Sequence, residues 1–392
     1  MSSYPLASST WGPEEIDAIN KVIASGRFVM GQEVSEYEEL FANHFGSRFA
    51  VMVNSGSSAN LALVSACRYS KVPKLLPGDE VIVPAVSWST TYYPVNQISC
   101  TLKFVDVDPN TLNIDVEKIE RAISPSTKAI FVVNLLGNLA DWETLKQIAE
   151  ANDLILLEDN CESMGASLGG KHAGTFGLGG TFSSFFSHHI STMEGGMILT
   201  DDETLFQTMR SLRAHGWTRD LPMNNHVHNK TGTEWDDLYR FVLPGYNIRP
   251  LEIEAAIGKV QLSKFDSFVS TRRANAKKFQ DLLVNNEGFR IQTENGQSSW
   301  FGFSIILEGK LKGLRSEFIE NLRLAGIDSR PIVAGNFTRN PVIKHLDHSP
   351  IGALPVADEV HDDGLFVGNH HYDLAHELDI LADVLSEFQG RY

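Results

Sequence analysis

Five short apolar runs, FAVMVNSG, EVIVPAVSW, CTLKFVDVD, KAIFVVNLLG and LILLEDN, each end in polar or glycine-containing sequence. Helix-like stretches such as SSANLALVSACRYS and WETLKQIAEAN lie between several of them. A run this continuous has no polar face to give to solvent, so it reads as a strand buried on both sides. Such strands alternating with helices imply an α/β fold whose sheet is mostly parallel and covered on both faces. Ligands in sheets of that kind bind outside the carboxyl ends of the strands, which makes the residues just after each run the candidates for chemistry. The opening stretch, WGPEEIDAINKVIAS, reads as a helix with Thr10 as its N-cap and Pro13 in its first turn.

The pattern changes near Arg249. PLEIEAAIGKVQLSKFDSFVSTRRANAKKFQDLLV carries apolar positions at three- and four-residue spacing, and WFGFSIIL and RSEFIENLRLAG follow it. The expected organisation is a large domain over 1–262 and a smaller α+β domain over 263–392. The polar, aromatic-rich segment from Gly216 to Tyr246 is long for a connection. Loops of that length cover a site, cross to a partner subunit, or are disordered.

The formal net charge of −16 argues against nucleic acid or an anionic membrane as a general partner. Cys67, Cys100 and Cys161 show no CxxC spacing, so neither a disulfide framework nor a zinc signature is expected. No signal-like start and no membrane-length apolar run is present, so the expected compartment is the cytoplasm.

Several strand ends carry chemistry. Asp159 closes LILLEDN, where a buried carboxylate needs a cation or several donors; it reads either as a helix N-cap or as the partner of a protonated ring nitrogen. NSGSSANLAL places Gly56 and Ser57 at a helix N-terminus, a ready phosphate cradle, although an N-capping serine explains the same letters. Ser183, after the strand GGTFS, offers another hydroxyl. Trp88, in AVSWSTT, stacks on a flat ring or packs in the core. The pair His188-His189 in SSFFSHHISTMEGGM lacks the HxxxH or HxxEH spacing of a metal site, and no metal is expected.

Together these motifs resemble the DegT/DnrJ/EryC1/StrS family of vitamin B6-dependent sugar aminotransferases. The marks are SGSSANLAL, VIVPAVSW, FVDVD, LEDNCESMGA, TFSSFFSHHISTMEGGM, RAHGW and GYNIRPLEIEAAIGKVQL, over nearly the whole chain. The resemblance implies the aspartate-aminotransferase-like fold (PLP fold type I) and pyridoxal 5'-phosphate, interconverting with pyridoxamine 5'-phosphate, as cofactor. Asp159, Trp88, Gly56, Ser57 and Ser183 would hold it. It further implies a homodimer, in which Asn247 reaches the phosphate of the neighbouring subunit's cofactor. Ser187, His215 and Arg249 would be sugar contacts, though surface or capping roles fit them as well.

Two positions depart from the family pattern. Members normally carry a lysine six residues before the glutamate of the E-G-G turn; counting back from Glu194 gives His188. An ε-amine bonds covalently to the cofactor aldehyde, whereas an imidazole forms no comparable stable imine but can still move protons near neutral pH. This departure resembles the sugar 3-dehydratase branch of the family. That branch implies L-glutamate as amine donor, a GDP-linked 4-keto-6-deoxy sugar as substrate, loss of the C3 hydroxyl, and His188 as the catalytic acid–base. Glu162 is the second departure, standing where relatives carry Gln or His beside the cofactor's phenolic oxygen. It either donates a hydrogen bond as a protonated acid or holds the pyridoxamine amine. The rival readings are an aminotransferase that has lost its lysine, a non-catalytic cofactor-binding scaffold, and an iron–sulfur dehydratase. The last would need four protein ligands where this chain has three scattered cysteines.

Overall fold

The computed structural model describes residues 4–71, 74–283 and 287–392. In chain order the N-terminal part contains β1 (Phe49–Val53), β2 (Glu80–Pro84), β3 (Thr101–Val105), β4 (Thr127–Val133) and β5 (Ile155–Asp159). A short hairpin, β6 (Ser167–Leu168) with β7 (Lys171–His172), precedes β8 (Gly179–Ser183) and β9 (Gly196–Thr200). Seven of these form one sheet in the order β1-β9-β8-β5-β4-β2-β3. The pairs from β3 through β8 are parallel, and β9 lies antiparallel between β8 and β1.

The uniform hydrophobicity of the strands follows from this burial. Along β2, β4 and β5, Val83, Phe131 and Leu157 pack into one core, while their neighbours Ile82, Ile130 and Leu156 pack into another on the opposite face. With both faces covered, neither set of alternate positions is free to be polar.

A second sheet, β10 (Phe289–Arg290), β11 (Gly302–Leu307), β12 (Ser329–Arg330) and β13 (Gly364–Gly368), is antiparallel in the order β10-β11-β13-β12. Its core includes Phe303, Ile305, Phe318, Val367 and Leu381, joined by Tyr4 from the other end of the chain. The Tyr4 hydroxyl donates to the Gly368 carbonyl at 2.6 Å.

One helix, Glu252–Leu283, joins the two parts. Its Ala255, Leu262, Phe265 and Val269 pack with the large sheet, and its Ala276, Phe279 and Leu283 with the small one. The proposed division at residue 262 therefore falls inside a continuous helix whose partners change between Val269 and Ala276.

The first helix starts later than Thr10. It spans Pro13–Ser25 with Gly12 as N-cap, and the Gly12 N–H donates to Glu15 Oε2 at 2.7 Å. Proline takes the first helical position because its missing N–H has no intrahelical partner there. The cap is therefore the residue just before it, and Thr10 lies too far upstream. The Thr10 hydroxyl instead donates to Gln261 Oε1 at 2.5 Å, fastening the N-terminal segment to the long helix.

Gly258 marks where the long helix crosses helix Gln32–Phe45. A Cβ at this position would lie 2.5 Å from Tyr37 ring carbons. Gly258→Ala is expected to destabilise the protein by about 1–3 kcal/mol through overpacking, read as a lower thermal midpoint. An unchanged midpoint would mean that the Tyr37 ring yields without cost.

Candidate functional site

At the carboxyl ends of the parallel strands lies a cavity of about 410 Å³. Gly56, Ser57, Trp88, Asp159, Glu162, Ser183, Ser187 and His188 all line it, although they come from separate parts of the sequence.

Asp159 ends β5 and is 5% exposed, so its carboxylate has to be satisfied by protein donors. It accepts from Asn60 Nδ2 at 2.8 Å, Thr91 Oγ1 at 2.7 Å and the Cys161 backbone N–H at 3.1 Å. No helix begins here, so the capping reading of Asp159 fails; the residues that follow form turns.

Helix Gly56–Tyr69 points its N-terminus at the same cavity, with Ser55 as N-cap accepting from the Ser58 N–H at 3.1 Å. Gly56 is required by close approach. A Cβ there would sit 2.6 Å from Ser183 Cβ and 2.9 Å from Cys161 Sγ. The Ser57 hydroxyl reaches Thr90 Oγ1 at 3.0 Å, so the cradle has hydroxyls on both sides. Trp88 precedes helix Ser89–Gln97 and is 58% exposed, so its ring is a wall of the cavity rather than part of the core.

His188 sits on the turn between β8 and β9. Ser184 donates its N–H to Gly195 O at 2.9 Å, and Thr192 donates its own to Ser184 O at 2.9 Å, closing the turn. The His188 ring packs 5.2 Å from Phe301 and 6.1 Å from Phe185, and its Nδ1 is buried without a hydrogen bond. Burial, with a smaller contribution from the charge of Arg272, lowers its pKa to about 3, so the imidazole is neutral at ordinary pH. His189 turns the other way. It is fully buried, with Nε2 3.1 Å from the Ser299 carbonyl, and serves packing rather than the cavity.

Glu162 accepts from the Leu136 N–H at 3.0 Å. Burial, assisted by the charge of Asp159 and opposed by that hydrogen bond, raises its pKa to about 7. Near neutrality a large fraction of Glu162 is a protonated acid.

Asn247, His215 and Arg249 do not reach this cavity; they cluster around Trp217. Arg249 Nε donates to Asn247 Oδ1 at 3.1 Å, and its guanidinium lies 5.8 Å from the Trp217 ring centre. The His215 ring is 5.2 Å from the same tryptophan. Much of the neighbouring segment is exposed, including Trp235, Tyr239 and Phe241.

The DegT/DnrJ/EryC1/StrS aminotransferase family model matches residues 10–380. The chain belongs to this family. It is 51% identical over 389 residues to GDP-4-keto-6-deoxy-D-mannose 3-dehydratase of Yersinia pseudotuberculosis, covering 99% of both chains. A structure of a GDP-4-keto-6-deoxymannose-3-dehydratase mutant with bound GDP-perosamine superposes with a TM-score of 0.96 at 52% identity, covering 98% of this chain and 100% of that one. A second structure of that dehydratase, with a trapped PLP-glutamate geminal diamine, gives the same TM-score, identity and coverage. The family's aspartate-aminotransferase-like fold is the fold seen here.

Within this family frame, several lining or supporting residues escape sequence reading. Asn60 and Thr91 hold Asp159, Thr90 extends the cradle, Glu194 lines the cavity on the turn it shares with His188, and Phe301 arrives from the C-terminal part. Asn60 lies one helical turn beyond Gly56, a spacing that could have flagged it. Phe301 carries no comparable signal.

The raised pKa of Glu162 sets a stability test. Between its ordinary value of 4.5 and about 7, the unfolded chain releases the proton while the folded one keeps it. The contribution of Glu162 is thus fullest below pH 4.5 and is lost as pH rises through about 7. Glu162→Gln should raise the thermal midpoint of the cofactor-free protein at pH 8 relative to wild type, with the gain shrinking toward pH 5. Equal midpoints at both pH values would contradict the assignment.

Proposed function

We propose that this protein is a pyridoxal phosphate-dependent nucleotide-sugar 3-dehydratase. It removes the C3 hydroxyl from GDP-4-keto-6-deoxy-D-mannose and yields GDP-4-keto-3,6-dideoxymannose and ammonia, with L-glutamate regenerating the pyridoxamine phosphate form. The observation that carries the reading is the His188 imidazole, in the cavity on the turn where the family keeps its lysine.

The residues present fit the cofactor. The first turn of helix Gly56–Tyr69, the hydroxyl residues Ser57 and Ser183 and the carboxylate of Asp159 line one cavity, a set that suits a phosphorylated, protonatable ring. Gly56, Ser57 and Ser183 would bind the phosphate at the helix N-terminus, Trp88 would face the ring, and Asp159 would pair with its nitrogen. When bound, pyridoxal phosphate supplies an electron sink and an aldehyde that takes up the amino group of glutamate. Without an amine at position 188 the cofactor is retained by these contacts alone.

His188 moves the proton. Its neutral imidazole accepts one without first having to lose one, and can return it to a departing hydroxyl. Glu162, with its proton, donates a hydrogen bond from a carboxyl oxygen into the cavity. The aromatic walls of Trp88, Phe185 and Phe301 limit water around both groups. Ser187 would contact the sugar from the His188 turn.

Asn247, His215 and Arg249 find a role in a homodimer, where the exposed 216–246 segment carries them toward the partner's cavity. Among the described residues no helix is long and apolar enough to cross a membrane; the cytoplasm remains the proposed compartment.

Incubation with glutamate and the GDP-linked 4-keto-6-deoxy sugar should release ammonia and a 3,6-dideoxy product. Accumulation of an amino sugar instead would make the protein an aminotransferase. His188→Asn should lose at least the roughly hundredfold typical of general acid–base catalysis while still binding cofactor. His189→Asn, corrected for its folded fraction, should keep most of the turnover. If His189 were essential and His188 dispensable, the assignment of the base would fall.

Asn247→Ala should shorten cofactor retention during dialysis without dissociating a dimer measured by analytical ultracentrifugation. A fully active monomer would remove the composite site.

A further inference from the structure

Arg272 stands in the middle of the long helix at 4% exposure. Its Nη1 donates to two backbone carbonyls, Phe301 at 3.2 Å and Asn369 at 2.7 Å, and its Nε is buried without a partner. Among the described residues no carboxylate forms an ion pair with it, and burial alone lowers its pKa to about 10, leaving it charged at neutral pH. A neutral donor could satisfy the same carbonyls without the desolvation cost of an unpaired guanidinium. What the guanidinium supplies is a tie, one Nη1 holding the carbonyls of two separate segments at once.

Phe301 supplies the link to the site. Its carbonyl is held by Arg272 and its N–H donates to the Leu136 carbonyl at 2.9 Å, so its backbone is pinned from both sides. Its ring lies 5.2 Å from His188 and 5.8 Å from His189, and it lines the cavity. The Asn369 side-chain amide donates back to the carbonyls of Arg272 at 3.0 Å and Trp300 at 2.9 Å, bracing the same junction.

We propose that Arg272 is a positioning residue for the reaction: by holding the Phe301 backbone it sets the Phe301 ring against His188. The proposal rests on His188 being the base in the function proposed above. Other titratable groups near His188 are Asp159 at the end of β5, Cys161 and Glu162 after it, Glu194 on its own turn, and His189 beside it in the chain. The carboxylates among them would favour a protonated imidazole. The charge of Arg272 opposes them, adding a smaller contribution to that of burial.

The test follows the His188 ring by NMR with labelled histidine, in cofactor-free and cofactor-loaded protein, alongside kcat/KM against pH. An ordinary histidine is half-protonated near about pH 6.5, so the wild-type ring should stay unprotonated down to about pH 5. Arg272→Met, which removes charge and fork together, should raise the His188 titration only in part, because burial is the larger cause and stays. It should also lower kcat/KM by about tenfold, short of the roughly hundredfold cost of losing a general base. Arg272→Lys should leave the ring unprotonated and recover most of the turnover. Phe301→Leu should lower turnover with the titration unmoved. Wild-type turnover in Arg272→Met overturns the proposal, as does wild-type turnover in Phe301→Leu. If Arg272→Met does not fold, Phe301→Leu decides, and wild-type turnover in that variant overturns the proposal. The titration needs no substrate. A wild type that releases no dideoxy sugar sinks the dehydratase reading, whereas a wild type that releases it while Phe301→Leu keeps full turnover sinks this proposal alone.

Discussion

The carboxylate of Asp159 cannot be buried at the end of β5 unless three separate segments converge on it. Asn60 comes from the helix after β1, Thr91 from the helix after β2, and the Cys161 N–H from the turn after β5 itself. Each of the first two also belongs to an element that carries a wall of the cavity: Gly56 and Ser57 on one helix, Trp88 at the start of the other. Satisfying one buried charge therefore fixes the distance between the proposed phosphate cradle and the Trp88 ring. Fold and site are one constraint here, because the parallel sheet delivers all three segments to the same edge.

The histidine on the β8–β9 turn changes what that constraint must bear. In a lysine enzyme the covalent bond helps to retain the cofactor. In the function proposed above the cradle, the ring wall and Asp159 would do so unaided, and the close approach of Gly56 to Ser183 packs the cradle against the end of β8. The turn is correspondingly rigid, with Ser184 and Thr192 joined through both backbone and hydroxyl contacts. If His188 is the base proposed above, one that cannot anchor itself to the cofactor has to be held by its own loop.

Much of this was legible in the sequence because strand ends and helix starts have local signatures. The apolar runs became β1 to β5, and the serines and glycine of NSGSS did open a helix at the cavity. What stayed hidden depends on contacts between distant segments. Phe301 lines the site only because the small sheet docks beside the His188 turn, and nothing near residue 301 announces it. The placement of Asn247, His215 and Arg249 around Trp217, away from the cavity, follows from the path of a long connection, which periodicity does not encode. Thr10 was misread for a local reason: proline sets the cap at the residue before it, and a threonine upstream is then free to bond elsewhere.

The two titratable departures from the family pattern gain meaning when taken as a pair. An exposed glutamate and histidine side by side at mildly acidic pH would be a carboxylate and an imidazolium. In this cavity the order is reversed: burial and the charge of Asp159 lift Glu162 to about 7, while burial and Arg272 depress His188 to about 3. Across the interval between those values the acid keeps its proton and the base stays free. Environments that push two pKa values in opposite directions separate a donor from an acceptor within one site. The inversion also limits the charge on the cavity wall, since neither Glu162 nor His188 adds to the negative charge of Asp159 in that interval. Asp159 can then face a protonated ring nitrogen without competition from Glu162, and His188 can accept a proton without an ionised neighbour to capture it first. Replacing the family's lysine by histidine therefore makes chemical sense together with Glu162.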